Sequence, residues 1–145
     1  MRIVTNPHSY AQSSSGTISG TIWIEAESRG FPESQWSDLV LGVLNMWLGN
    51  MDNFITKNLE QERLLFMDGP FEIRILRKDK QLLLLSFVKN DTNEEWGTCE
   101  VSLSAFIDAL LKASAVAVET CRKKDFTSRD LAYVVALSDK LSRHP

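Results

Sequence analysis

Acid–base catalysis near neutral pH is most often the work of histidine, and this chain carries only His8 and His144, each within nine residues of an end. Chain ends are commonly loose, so both imidazoles are expected to be solvated and idle. Without a histidine inside the fold, Ser/His/Asp and Cys/His constellations have no base to work with. Cys99 and Cys121 are the only cysteines and form no CxxC pair, so a Cys/His zinc tetrahedron is not written in the sequence. Both thiols are read as reduced and at least partly buried. The seven glycines are scattered, and neither GxGxxG nor GxxxxGKS/T occurs to cradle a phosphate.

Carboxylates are the remaining reactive groups. Glu25 and Glu27 fall on one face of a predicted strand, and Glu94 and Glu95 stand side by side in a predicted polar loop that begins near Asp91. Glycosidase-type chemistry would need one member of a pair in an apolar pocket with its pKa raised. Both pairs read instead as exposed and solvated. The sequence therefore assigns no catalytic group, no metal and no cofactor.

What stands above background is charge placement. The whole chain has 16 Lys and Arg against 19 Asp and Glu, a formal charge of −3, which disfavours nucleic acid as a main partner. From Ile22 to Glu62 there are seven acids against two bases, net −5, whereas Leu111 to Pro145 is net +3. An acidic face of this kind speeds encounter with a basic protein and orients it. Candidate contact residues are Trp23, Glu25, Glu27 and Asp38, with Asp91, Glu94 and Glu95 as rim. Trp23 alternates away from Ile22 and Ile24, so it is either covered by another element or offered to a partner as an aromatic anchor.

Those residues need a scaffold. At 145 residues with 43% hydrophobic and 24% charged side chains, the chain has ordinary globular composition and enough length for a real core. Residues 1–16, with Ser9 to Gly16 small and polar, read as a flexible arm, and 17–145 as a single α+β domain. Period-two alternation begins at Ile18 and continues to Glu27, which is a half-buried strand. Pro32, Glu33 and Ser34 signal a helix whose stripe runs through Trp36, Leu39, Val40, Val43, Leu44, Trp47 and Met51. Gly49 marks an end or irregularity in it.

Four strands follow, Leu64–Met67, Phe71–Arg77, Leu82–Val88 and Trp96–Val101, joined by turns at Asp68-Gly69-Pro70 and Arg77 to Lys80 and by the loop 90–95. The unbroken Leu82 to Leu85 run suggests a strand covered on both sides. Ser102 or Ser104 caps a helix ending at Arg122-Lys123-Lys124, and Thr127-x-x-Asp130 opens a last one. The order β-α-β-β-β-β-α-α implies an antiparallel sheet of four to five strands with about three helices packed mainly on one face. No apolar run approaches a membrane span and no secretion signal is visible, so the expected location is the cytoplasm. An exposed strand edge would allow a homodimer.

With Phe31-Pro32, Trp36 and Trp47 on an early helix, the Leu65-Phe66-Met67-Asp68-Gly69-Pro70 turn, and Val101-Ser102-Leu103-Ser104-Ala105-Phe106, the chain resembles the immunity-type proteins of bacterial toxin systems. That resemblance covers residues 20 to 125 in element order. It implies a protein that binds and blocks a cognate toxin, and an acidic face suits a toxin with a basic site. The other reading is a small-molecule-binding or carboxylate-dependent enzymatic α+β domain with a pocket between sheet and helices.

Overall fold

The computed structural model describes residues 1–144 and is α+β, with three helices and antiparallel strands distributed over three sheets. In chain order the elements are β1 (Arg2–Val4), a short 3-10 turn (Pro7–Ser9), β2 (Ala11–Gln12), β3 (Ile18–Thr21), β4 (Trp23–Ala26), β5 (Arg29–Phe31), β6 (Ser37–Asp38) and α1 (Val40–Thr56). Then come β7 (Gln61–Leu65), β8 (Phe71–Arg77), β9 (Leu82–Lys89), β10 (Glu94–Ser102), α2 (Leu103–Lys123) and α3 (Arg129–Ser142).

The four-stranded meander is present, in the order β10-β9-β8-β7, but the early strand does not join it. The run from Ile18 to Glu27 divides at Ile22, whose N–H reaches the carbonyl of Trp36 at 2.9 Å. Its first half pairs with β2 and β6, its second with β1 and β5. Alternation reveals a strand but not its neighbours, and here the neighbours come from the segment read as a flexible arm. Arg2–Val4 pairs with β4, Ile3 and Tyr10 are buried, and the Tyr10 and Thr5 hydroxyls share a 2.6 Å hydrogen bond. Only the Ser13–Gly16 turn keeps the loop character predicted for the arm.

The first helix begins at Val40 rather than near Pro32. Ser34 and Gln35 form a turn, Gln35 with a φ of 62°, and the residues just before the helix are extended, with Ser37 and Asp38 paired to Thr21 and Gly20. Gly49 does not interrupt the helix, which continues to Thr56. Its apolar surface is broader than one stripe: Val40, Leu41, Val43, Leu44, Trp47, Leu48, Met51 and Phe54 are all buried, because β3, β7, α2 and α3 surround it. The inner face of the meander supplies Leu64, Ile73, Ile75, Leu83, Leu85 and Phe87 to the same core.

The other face of the meander is open. Leu82, Leu84 and Ser86 are half-buried and Leu76 is exposed, so the four-leucine run is covered on one side only. Ser102 caps α2 by accepting the Ala105 N–H, and Ser128 rather than Thr127 caps α3 by accepting the Leu131 N–H.

A methyl group added at Gly49 meets only the Leu137 side chain, at an ordinary 4.0 Å. Gly49→Ala is therefore expected to stabilise the protein by ~0.5–1 kcal/mol through helix propensity alone. Urea unfolding would show a raised midpoint at unchanged slope, and a lowered midpoint would mean that α1 and α3 pack too closely there for the methyl.

Candidate functional site

At the start of β10 the ladder slips: Glu95 faces Val88 and Gly97 faces Phe87, leaving Trp96 as the extra residue of a bulge. The bulge re-aims the indole. Its ring meets Phe31 edge-on, with centroids 5.8 Å apart, and Phe71 at 5.3 Å, yet 37% of the residue stays exposed. Edge-to-face packing of this kind fixes a ring without hiding it. Beside Trp96 lies a cleft of about 70 Å³, bordered by Gly97 and Thr98 on one side and by Ile24, Ala26, Glu27, Arg29, Gly30 and Phe31 on the other.

Glu27 reaches this cleft from the tip of the β4–β5 hairpin. The turn has only two residues, Glu27 and Ser28, with φ of 52° and 64°. Positive φ at both positions belongs to the turn whose twist matches a two-residue hairpin, even though neither residue is glycine. On the other flank, Glu94 and Glu95 are exposed in β10 itself, so the polar loop is shorter than predicted. Asp91 is exposed in the remaining turn, which is tied down by the Asn90 N–H to Pro70 O at 2.7 Å and by Arg74 donating to Asn93 Oδ1 at 2.9 Å.

Three of the predicted contact residues are occupied elsewhere. Trp23 is only 3% exposed, and its indole N–H points at Glu25 Oε1 over 3.3 Å, so the anchor reading of Trp23 is replaced by the covered one. Glu25 is an ion-pair partner of Arg2, and that hydrogen bond, foremost, holds its carboxyl below the usual range. Asp38 is 5% exposed and acts as a staple. Its carboxylate accepts the N–H groups of Leu39 (2.7 Å), Met67 (3.1 Å) and Asp68 (3.1 Å) and the Trp36 indole N–H (3.2 Å), joining the start of α1 to the turn after β7. The structure thus brings Glu27 to the Trp96 cleft, keeps Asp91, Glu94 and Glu95 on the surface beside it in sequence, and withdraws Trp23 and Asp38 from contact.

Two charged clusters were not legible in the sequence. On the open face of the meander, Glu72 has no exposed surface although it sits between solvent-facing neighbours. Arg63 forks onto it through Nε and Nη2 at 2.5 and 2.6 Å, and Arg74 Nε adds a third contact at 3.3 Å. The Arg63 hydrogen bonds chiefly, aided by Asn90 and Arg74, outweigh burial and hold the Glu72 carboxyl low. Glu72, Arg63 and Arg74 alternate correctly for one face, but only the register reveals that Arg63 and Arg74 are cross-strand partners.

The second cluster corrects the expectation for His144. Its Nε2 lies 2.8 Å from Asp52 Oδ1, and Lys140 Nζ lies 2.8 Å from Oδ2 of the same buried carboxylate. Burial alone would raise the Asp52 pKa, yet the hydrogen bonds from His144 and Lys140 overcome it and hold it below the ordinary aspartate range. The i, i+4 spacing of Lys140 and His144 was the available signal, although it does not identify a partner 92 residues away. Cys99 and Cys121 are free thiols, half-buried and buried respectively, and burial pushes both upward. Among the described residues no three His, Cys, Asp or Glu side chains converge as metal ligands, and no helix is long and apolar enough to cross a membrane. Comparison with protein families, curated proteins and solved structures finds no match to this chain.

Asp38→Ala leaves four N–H donors without their acceptor and is expected to cost on the order of 3 kcal/mol, read from chemical denaturation. A smaller loss than about 1 kcal/mol would mean water replaces the carboxylate readily. Because the folded Asp52 pKa is depressed, its contribution is complete above the unfolded value of about 3.9 and is lost as pH falls through the lower folded value. The stability gap between wild type and Asp52→Asn should therefore be full at pH 5 to 6 and shrink below about pH 4. A gap independent of pH in that range would place the effect outside ionisation.

Proposed function

We propose that this chain is a non-enzymatic protein-binding domain that engages a basic partner through the surface around Trp96, acting as an immunity-type inhibitor of a toxin domain. The observation that carries the reading is Trp96 itself. A large aromatic side chain is braced by Phe31 and Phe71, is left more than one-third exposed, and is flanked by the exposed carboxylates of Glu27, Glu94 and Glu95. Rigid aromatics surrounded by polar rims are the commonest energetic centres of protein interfaces. They cost little conformational entropy to immobilise because packing has already fixed their rotamers.

The charge of the rim sets the class of partner. Carboxylates around the indole repel phosphate backbones and attract lysine- or arginine-bearing surfaces, raising the association rate at low ionic strength. The cleft beside Trp96 holds about 70 Å³, well below the roughly 300–1,000 Å³ usual for sites that enclose small molecules. It suits a single side chain or a stretch of backbone from a larger partner. An inhibitor of this kind works by occlusion, so its requirements are shape and charge rather than a poised acid or base.

Affinity capture with the immobilised full chain tests this reading, run in parallel with Trp96→Ala and with the triple variant Glu27→Lys, Glu94→Lys, Glu95→Lys. A protein of basic surface should be retained by wild type and lost from both variants, with circular dichroism confirming that each is folded. Undiminished capture by the charge-reversed chain would overturn the acidic-surface reading.

A further inference from the structure

The two edges of the meander are treated differently. At the β7 edge two of the outward carbonyls already have partners on α1: the Trp47 indole N–H donates to Leu65 O at 2.8 Å, and Asn50 Nδ2 donates to Arg63 O at 3.0 Å. The β10 edge has no such cover. Arg77 N–H bonds to Glu60 O, so the odd residues of β8 face β7 and its even residues face Val88, Ser86 and Leu84 of β9. By the alternation of an antiparallel ladder, Leu83, Leu85 and Phe87 then face Val101, Cys99 and Gly97. Thr98 and Glu100 are left with both N–H and C=O turned outward. Both residues are exposed, and neither finds a hydrogen-bond partner for these groups among the described residues.

Space is available beside them. The Trp96 cleft separates residues 96–98 from the β4–β5 hairpin, and both Thr98 and Glu100 are exposed. The edge is also chemically one-sided. β10 carries Glu94, Glu95 and Glu100 and no basic residue, with Asp91 just before it; the nearby cations are Lys89, opposite Glu94 across the ladder, Arg29 at the cleft, and the N-terminal ammonium, whose charge reaches the Cys99 thiol. A second copy of β10 laid antiparallel along this edge would confront three glutamates with three more. We infer that the β10 edge accepts an extended, lysine- or arginine-bearing segment of the protein partner as an added strand, hydrogen-bonded at Thr98 and Glu100, with Trp96 covering one end.

Main-chain pairing supplies affinity in such a mode and the acidic side chains select the incoming strand. This deepens the binding reading above and rests on it, but specifies backbone pairing as the means. A blocking substitution is available. Proline is tolerated on an edge strand where its missing N–H faces outward, so Thr98→Pro removes a docking donor without removing a bond to β9.

The test uses the full chain and a capped heptapeptide of alternating lysine and valine, followed by amide hydrogen exchange in nuclear magnetic resonance. In the free protein, Thr98 and Glu100 amides should exchange rapidly while those of Gly97, Cys99 and Val101 are protected. Saturating peptide should slow Glu100 exchange at least tenfold, and Thr98→Pro, or N-methylation along one edge of the peptide, should abolish that slowing. Protection of Cys99 and Val101 in Thr98→Pro verifies its ladder. Peptide that binds wild type and Thr98→Pro equally, but not the triple lysine variant, overturns edge pairing and leaves the acidic-surface reading standing. No binding up to millimolar peptide, or slowing that grows with protein concentration in the absence of peptide, overturns the proposal outright, the latter in favour of a second copy.

Discussion

A helix surrounded on most sides must dispose of every polar group it carries, and that constraint on α1 organises the rest of the molecule. Nine of its seventeen residues are buried, among them Asp52. Trp47 and Asn50 meet the requirement by donating to carbonyls of β7, and Asp52 by accepting from Lys140 and His144 on and just beyond α3. Each solution also fixes a neighbour. Two carbonyls of the β7 edge are covered, and the end of α3 is bound to the helix it crosses. Buried donors and acceptors left unpaired cost far more than a paired bond contributes, so these contacts specify position more than they add net stability.

Covering one edge in part leaves the other as the open one. An antiparallel sheet of four strands presents two rows of unpaired backbone groups unless something covers them. Here α1 takes two carbonyls of one row, and α2, which follows β10 directly, takes none of the second. The exposed edge instead carries glutamates, a known means of discouraging promiscuous strand pairing. Repulsion between like strands and attraction for basic ones are the same electrostatic fact. The proposed basic strand would meet the opposite sign of charge along this edge.

The later chain was largely readable in the sequence because its signals are local. Phe71–Arg77 has clean alternation bounded by Asp68-Gly69-Pro70 and a lysine-rich turn, and the observed strand has those limits. Ser102 announces α2 by its own side chain. The N-terminal third was less readable because its order is supplied from a distance. Nothing local in Ser9 to Gly16 shows that Tyr10 will be buried, that Thr5 will meet its hydroxyl, or that Lys124 Nζ will donate to the Tyr10 carbonyl at 3.1 Å. The start of α1 at Val40, later than the sequence predicts, has a related reason. Pro32-Glu33-Ser34 is good helix-opening chemistry, but the chain turns at Ser34 and Gln35 and then pairs Ser37 and Asp38 with β3, and tertiary contact outweighs a propensity of a few tenths to about 1 kcal/mol.

The candidate surface shows the same division between local and distant information. Acidic residues between Ile22 and Glu62 looked like one face because they are close in sequence, yet Glu25, Asp38 and Asp52 are committed to internal partners. Glu25 and Asp52 are balanced by cations, and the Asp38 carboxylate is 5% exposed and turned onto four N–H donors, so none of the three offers a free carboxylate at the surface. What remains exposed is shorter and lies later: Asp91, Glu94, Glu95 and Glu100, with Glu27 brought to the same cleft as Trp96 by a two-residue hairpin. The bulge at Trp96 completes that surface. A regular strand would have pointed the indole to the face opposite Phe31 and Phe71. One extra residue places it against them, so the feature that breaks the strand's alternation is also the one that sets an aromatic ring among the acids.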